Sequence, residues 1–218
     1  MEKVWNALQE KNRILVCDFD GTLTVSGSSM HGIVRVLGEA APITKARDSL
    51  YMQYGKMLKT EENISVKKQL AMKWWQAQMD LFIQYNIQEN LFRKVAKQLT
   101  PRDEAVDLLE KCREAMIPVW IVSAGVANVI EAWLEQQGLS GSGIYILANR
   151  VCYEDGMAVG CSDLVTPWNK AEMFFKSIET DSDFTLVFLG DQKEDVGWKG
   201  KNTNSFLVNG QSVEMTFI

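Results

Sequence analysis

The chain has 218 residues, 46% of them hydrophobic, enough for a sizeable core in one larger domain or in a core domain that carries an insertion. Its formal net charge of -5 argues against a polyanion such as DNA or RNA as partner, and no apolar run is long enough to span a bilayer. Residues 1–13 are mixed and charged, without the apolar core of a signal peptide, and the four cysteines (Cys17, Cys112, Cys152, Cys161) show no Cys-x-x-Cys spacing. That usage argues against a disulfide framework and for a reducing, cytoplasmic compartment. The single histidine, His31, excludes a multi-histidine metal centre.

Arg13 to Asp18 reads as the first strand, with Cys17 a small hydrophobe inside it. Residues 30 to about 98 carry no strand signal and read as helical throughout, an insertion between the first two strands. Within it, at about 100° per residue, Val66, Leu70, Trp74, Ala77 and Leu81 share one helix face, and Met72, Trp75, Met79 and Phe82 lie nearly opposite. A helix apolar on two faces is sandwiched, or it lines a second surface such as a cleft. Thr100-Pro101 reads as an N-cap with proline at the first helical position, followed by Ala105, Leu108, Leu109, Cys112 and Met116 at helical spacing.

Pro118 to Val122 is the second strand. Val126, Val129, Ile130, Trp133 and Leu134 form the next helical stripe, closed by Gly138. Gly143 to Leu147 is the third strand, and Glu154-Asp155-Gly156 reads as the turn of a hairpin between Cys152 and Cys161. Thr185 to Leu189 and Ser205 to Val208 are the fourth and fifth strands. These runs alternate little, as in strands buried on both faces, and strand–helix alternation implies a parallel sheet with right-handed crossovers.

Four segments that carry chemistry fall at predicted strand ends. Asp18-Phe19-Asp20-Gly21-Thr22 follows the first strand and Ser123-Ala124-Gly125 the second. Lys170 lies in Thr166-Pro167-Trp168-Asn169-Lys170, and Gly190-Asp191, with Asp195, follows the fourth strand. Two aspartates at the end of a buried strand need a positive partner, most simply a metal ion. A phosphomonoester needs positioning and charge neutralisation. Asp18 suits the nucleophile that forms an aspartyl-phosphate, and Asp20 the acid that protonates the leaving oxygen and then activates water. Two carboxylates beside a phosphate repel one another, so Mg2+ is the expected bridge, held by Asp18, Asp20, Asp191 and Asp195. Ser123 and Ala124, ahead of a helix, and Phe19, between the two aspartates, are placed with the phosphate-binding groups, and Lys170 adds a point charge.

In this order the four segments resemble the four motifs of the haloacid dehalogenase superfamily. The resemblance implies a Rossmann-like core, here residues 1–29 and 99–218, with a helical cap, residues 30–98, inserted after the first strand. Dehalogenases and phosphonate hydrolases of that superfamily lack an acid at the place of Asp20, so its presence implies phosphoryl transfer to water or to another hydroxyl. Val122-Ser123-Ala124-Gly125 with Val129-Ile130-Glu131, Asn149, the 152–161 hairpin and Asn169-Lys170 look like cytosolic pyrimidine 5′-nucleotidases of type III. Ser29-Met30-His31-Gly32-Ile33 and Trp74-Trp75 resemble that family's cap. The chain departs from the family at Gly21, usually methionine, near Met57, where an acidic base-recognising residue is usual, and in lacking a C-terminal extension.

The activity implied is Mg2+-dependent hydrolysis of a small phosphomonoester by a monomer, with a nucleoside 5′-monophosphate as the favoured substrate. A phosphoserine, phosphocholine or sugar phosphatase, a phosphomutase and a non-catalytic phosphoryl-binding module are the alternatives. Substrate choice is expected in the cap, at His31, at Trp75 with its stripe, or at Tyr51 and Tyr54. His31 also reads as a helix cap, and Trp74 and Trp75 also read as core.

Overall fold

The computed structural model describes residues 1–26, 29–141, 143–178, 184–196, 198, 203–210 and 212–216. In chain order it contains α1 (Glu2–Leu8), β1 (Arg13–Cys17), β2 (Thr24–Ser26), α2 (Ser29–Leu37), α3 (Pro42–Leu50), a π-helical turn (Tyr51–Gly55), α4 (Lys56–Thr60), α5 (Ile64–Gln84) and α6 (Asn90–Ala96). There follow β3 (Thr100–Pro101), α7 (Asp103–Glu114), β4 (Val119–Val126), α8 (Ala127–Gln136), β5 (Ile144–Glu154), β6 (Met157–Ser162), α9 (Lys170–Ser177), β7 (Thr185–Gly190), α10 (Lys193–Val196), β8 (Thr203–Asn209) and β9 (Ser212–Thr216).

One seven-stranded sheet has the order β6-β5-β4-β1-β7-β8-β9. Its five inner strands are parallel, and β6 and β9 run antiparallel at the edges. β1 is central: Leu15 pairs with Val119 on one side and Val187 on the other. Its side chains alternate between two cores. Leu15 and Cys17 pack with buried residues of α7 and α8, among them Leu108, Leu109, Val129, Ile130 and Trp133. Ile14 and Val16 pack with Phe174 of α9, Phe188 and Trp198. Covering on both faces is why the strands read as continuous apolar runs. The α/β class and the parallel sheet are as the sequence implies.

Every described element between β2 and β3 is helical, and the ends of that stretch meet where Ser26 pairs with Thr100 and Thr24 with Pro101. Thr100-Pro101 is thus an edge bridge and not a helix start: Arg102 N–H still donates to Leu23 O at 2.9 Å, and α7 begins at Asp103. Proline fits this edge because it has no N–H to pair. Met116 falls beyond α7 and is 88% exposed, so it is not part of the apolar stripe. The third strand is longer than its apolar run. It continues as β5 into the hairpin, which turns at Asp155 and Gly156, both at positive φ, as a two-residue turn requires. The hairpin touches the helical stretch, with Ala158 N–H donating to Asn86 Oδ1 at 3.0 Å and Tyr153 O–H to Ile87 O at 2.5 Å. All four cysteines are free. Burial pushes the thiols of Cys17 and Cys112 up, the latter to about 12, so both remain neutral. No described helix is long and apolar enough to cross a membrane.

Candidate active site

The carboxyl ends of β1, β4 and β7 lie side by side, and each delivers one of the predicted segments. Asp18 extends the ladder by one bond, its N–H donating to Leu189 O at 2.9 Å. Its carboxylate is buried and accepts from Lys170 Nζ at 2.6 Å, and Lys170 Nζ also reaches Asp195 Oδ1 at 2.6 Å. Burial holds Asp18 up at about 7, outweighing the lowering effect of Lys170, while neighbouring Asp195 and Asp20 add to the rise. For Lys170 burial favours the neutral amine, but the carboxylates of Asp18 and Asp195 outweigh it and hold the ammonium above its ordinary range. Lys170 is the first residue of α9. Asn169 fixes the turn before it, accepting from Thr166 N–H at 2.6 Å and donating to Leu164 O at 3.0 Å.

Oxygens of Asp18, Asp191 and Asp195 lie within 4.8 Å of one another. The donor set is hard oxygen throughout and fits a small divalent cation. Asp20, also expected as a metal ligand, is not among these three. Its two oxygens instead accept from Ser29, Oδ1 from the backbone N–H at 2.9 Å and Oδ2 from Oγ at 3.0 Å. Asp195 is tied to Lys170 and also accepts from Gln192 N–H, which sets it behind Asp191. Gly21 sits at φ +83°, and an added Cβ would lie 2.7 Å from Asp191 Oδ2. The glycine therefore meets both a backbone demand and a close approach.

Ser123-Ala124-Gly125 bulges from β4: Val122 pairs with Leu147 and Val126 with Asn149, so two extra residues stand out of the ladder. The buried Asn149 amide takes the place of the missing partner, donating to Ala124 O at 2.9 Å and Gly125 O at 3.0 Å. Ser123 Oγ accepts from Gly125 N–H at 3.0 Å. Gly125 has no room for a side chain, since a Cβ would meet Ser29 Oγ at 2.1 Å. Phe19 is fully buried with its ring edge-on to Trp133, so only its backbone can meet a ligand.

A cavity of about 520 Å³ opens from these groups. Asp18, Asp20, Ser123, Ala124, Gly125 and Lys170 line one part, and Met30, His31, Val34, Arg47, Asp48, Tyr51, Trp74, Trp75 and Gln78 line the rest. Of the residues expected to meet substrate, His31 and Trp75 line it and Tyr54 does not. Tyr51, expected there with Tyr54, does line it, its ring seated against Gly55 in the π-helical turn. Trp75 comes with its neighbour Trp74, not with its own stripe: Met79 and Phe82 are buried in the core and Met72 lies against Asn169. Trp75 Nε1 donates to Ala124 O at 2.8 Å, which ties α5 to the bulge. Val66, on the other stripe, is 40% exposed, and Met57 is exposed outside the cavity lining.

Two supporting residues carried no sequence signal of their role. Ser29 opens α2 and holds Asp20. Arg102 is buried, and its guanidinium donates to Thr22 O, Gly21 O and Gly210 O at 3.0, 3.1 and 2.6 Å, clamping the turn after Asp20.

Solved structures share this fold. Cytosolic 5′-nucleotidase IIIB bound to cytidine superposes with a TM-score of 0.67 at 21% identity, over 89% of this chain and 72% of that one. A substrate-bound phosphoserine phosphatase gives 0.56 at 18% identity, over 86% and 81%. At such identities the likeness speaks to fold alone, and the fold is of the haloacid dehalogenase type. The family follows from the sequence. Residues 20–205 match the profile of the pyrimidine 5′-nucleotidase (UMPH-1) family, and the chain belongs to it. The 7-methylguanosine phosphate-specific 5′-nucleotidase of Gallus gallus is 23% identical over 201 residues, 84% of this chain and 68% of that protein. A Xenopus laevis protein of the same name (form B) is 28% identical over 144 residues, and this match spans half of its length.

Proposed function

We propose that the protein hydrolyses a small phosphomonoester through an aspartyl-phosphate on Asp18, with a nucleoside 5′-monophosphate as the favoured substrate. The observation that carries this reading is the gathering of Asp18, Asp20, Ser123 and Lys170 at one part of a single cavity. An Asp18 oxygen attacks phosphorus as the bond to the leaving oxygen breaks, and protonated Asp20 gives its proton to that oxygen. Asp20, now a carboxylate, takes a proton from water; the water oxygen attacks phosphorus, phosphate leaves and Asp18 is restored. Lys170 offsets charge on the phosphoryl oxygens, and Ser123, whose Oγ already accepts from Gly125, has its own O–H to donate to one of them. Asp18 and Asp191, with Asp195 behind, would hold Mg2+, which when bound supplies positive charge against the carboxylates and the phosphate.

On this reading residues 30–98 cap a core made of 1–29 and 99–218, and the cap part of the cavity takes the leaving group. The nucleotide-phosphatase names of the relatives support the substrate class. The free cysteines and the cytosolic neighbour support a cytoplasmic compartment, and a monomer acting on a small molecule completes the reading. The test is phosphate release from a panel of phosphomonoesters with Mg2+ and with EDTA, for the protein and for Asp18→Asn. Release that persists in EDTA or in Asp18→Asn would sink the mechanism. Isomerisation of glucose 1-phosphate with a bisphosphate primer, without phosphate release, would make the protein a mutase.

A further inference from the structure

Away from Asp18 the cavity has a second polar wall. Arg47 on α3 donates to Gln78 Oε1 on α5, from Nη2 at 3.1 Å and from Nε at 3.4 Å. A guanidinium only donates, so this contact fixes which end of the Gln78 amide is oxygen. Gln78 Nε2 is thereby left as a donor, with no partner among the described residues, on a side chain that is 5% exposed and lines the cavity. Arg47 spends two N–H groups on that one oxygen, and no described carboxylate pairs with the rest. Asp48 lines the same cavity and acts on Arg47 only at a distance. Trp74 supplies a third donor, a buried indole N–H without a partner. Of the other aromatic tips, Trp75 Nε1 is engaged on Ala124 O, and the Tyr51 hydroxyl, on an exposed side chain, accepts from Lys59 Nζ at 3.0 Å.

Three unused donor groups thus share one wall of the cavity that holds the nucleophile. We propose that Arg47, Gln78 and Trp74 form a leaving-group subsite, and that the group it takes presents a C=O acceptor, as a ring carbonyl or as a carboxylate. The inference rests on the phosphatase reading of the same cavity. A site built to hydrogen-bond a substrate discriminates strongly against an analogue without the matching atom, because its own donors are then desolvated and unpaired. The subsite selects by acceptors, and Asp48 beside it repels a leaving group that is only anionic and cannot reach the guanidinium.

The experiment compares kcat/KM for uridine 5′-monophosphate, O-phosphoserine and phenyl phosphate in the unaltered protein, Arg47→Met, Arg47→Lys and Gln78→Leu. Uridine carries neutral ring carbonyls, serine a carboxylate, and phenol neither. Loss of a hydrogen bond with a charged partner corresponds to roughly 10- to 150-fold. The ratio of kcat/KM for at least one acceptor-bearing ester to that for phenyl phosphate should fall by that factor in Arg47→Met, mostly through KM. Arg47→Lys should recover part of it. A fall for uridine 5′-monophosphate alone assigns the ring carbonyl, and a fall for O-phosphoserine alone the carboxylate. Ratios unchanged in both Arg47→Met and Gln78→Leu would overturn the subsite and leave the pair as a tie between α3 and α5. If the unaltered protein releases phosphate from none of the three nor from the wider panel of phosphomonoesters, the phosphatase reading fails. Calorimetric binding of uridine 5′-monophosphate then decides the subsite: weakening in Arg47→Met upholds it, and equal or absent binding overturns it.

Discussion

Ser29→Ala separates the acid from the rest of the machinery. The serine gives Asp20 two hydrogen bonds, and alanine keeps only the backbone one to Oδ1. The lost bond joins a hydroxyl to a carboxylate, a contact of about 1.5–3 kcal/mol, which corresponds to roughly 10- to 150-fold in kcat if orientation of the acid is its whole use. The ceiling is the contribution of a general acid itself, about 10²–10⁴. A second consequence is structural. Ser29 Oγ accepts from the buried N–H of Val126 at 3.2 Å, and leaving that N–H unpaired costs about 1–3 kcal/mol. At roughly 2–4 °C per kcal/mol for a domain of this size, the melting temperature should fall by about 2–12 °C. The two effects are told apart by leaving group. An acid matters little when the departing oxygen is already stable as an anion, so p-nitrophenyl phosphate should be turned over nearly as before. Phenyl phosphate and alkyl phosphates should slow progressively. Equal loss across the series at temperatures well below melting would refute the view that Ser29 acts through Asp20.

Three further outcomes follow from the geometry. Without metal, Asp18 in the folded protein keeps a proton up to about pH 7, whereas its ordinary value is 3.8; between those limits the folded state binds more protons than the unfolded chain, so this group's contribution to stability falls as pH rises. Mg2+ should therefore raise the melting temperature more at pH 8 than at pH 5, and an equal shift at both would contradict the placing of the cation at Asp18. Gly21→Ala puts a Cβ against Asp191 and strains a positive φ, so half-saturation by Mg2+ should rise about 10- to 100-fold, the range seen when support around a metal ligand is lost; unchanged titration in a phosphate-release assay would rule this out. Arg102→Met removes two donors from the turn after Asp20 and a third that ties it to Gly210, and kcat should fall more than tenfold, the scale of losing even one such charge-assisted bond, with KM held; a change in KM alone would show that the clamp does not set the acid.

The part of the site read from sequence is the part that breaks local rules. Asp18 and Asp20 stand where a buried strand has no packing use for charge, and Asp191 repeats the violation at the end of the neighbouring strand. Chemistry is the economical explanation of such residues. Ser123-Ala124-Gly125 was legible for a related reason, since small residues between a strand and a helix leave backbone N–H groups exposed. The β9 edge and the short β2–β3 bridge were not legible. β9 lies after a turn and its side chains are mostly exposed or half-buried, so no apolar run marks it. β2 and β3 are too short to show a period, and Thr100-Pro101 satisfies a helix cap and an edge bridge equally well by residue type. The pairing with Thr24 and Ser26 and the bond from Arg102 N–H to Leu23 O separate the two.

What could not be read is the support that acts over long separations. Ser29 reaches Asp20 across nine residues, Arg102 reaches Gly21 across 81, and Trp75 reaches Ala124 across 49. A serine before a helix, an arginine before another and a tryptophan on an amphipathic helix are all ordinary where they stand, so their residue types carry no signal. The helix around Trp75 shows the same point from the other side. Its two apolar faces correctly indicated a helix with two apolar surfaces, but periodicity assigns residues to stripes, and the cavity cuts across both. Trp74 and Trp75, from opposite stripes, meet it together with Gln78, a polar residue that no apolar pattern would select. The phosphoryl end of such a site is fixed by what every phosphomonoester shares, and it is written in local motifs. The leaving-group end is fixed by which helices the fold happens to bring over the strand ends, and there the three-dimensional arrangement of ordinary residues holds the specificity.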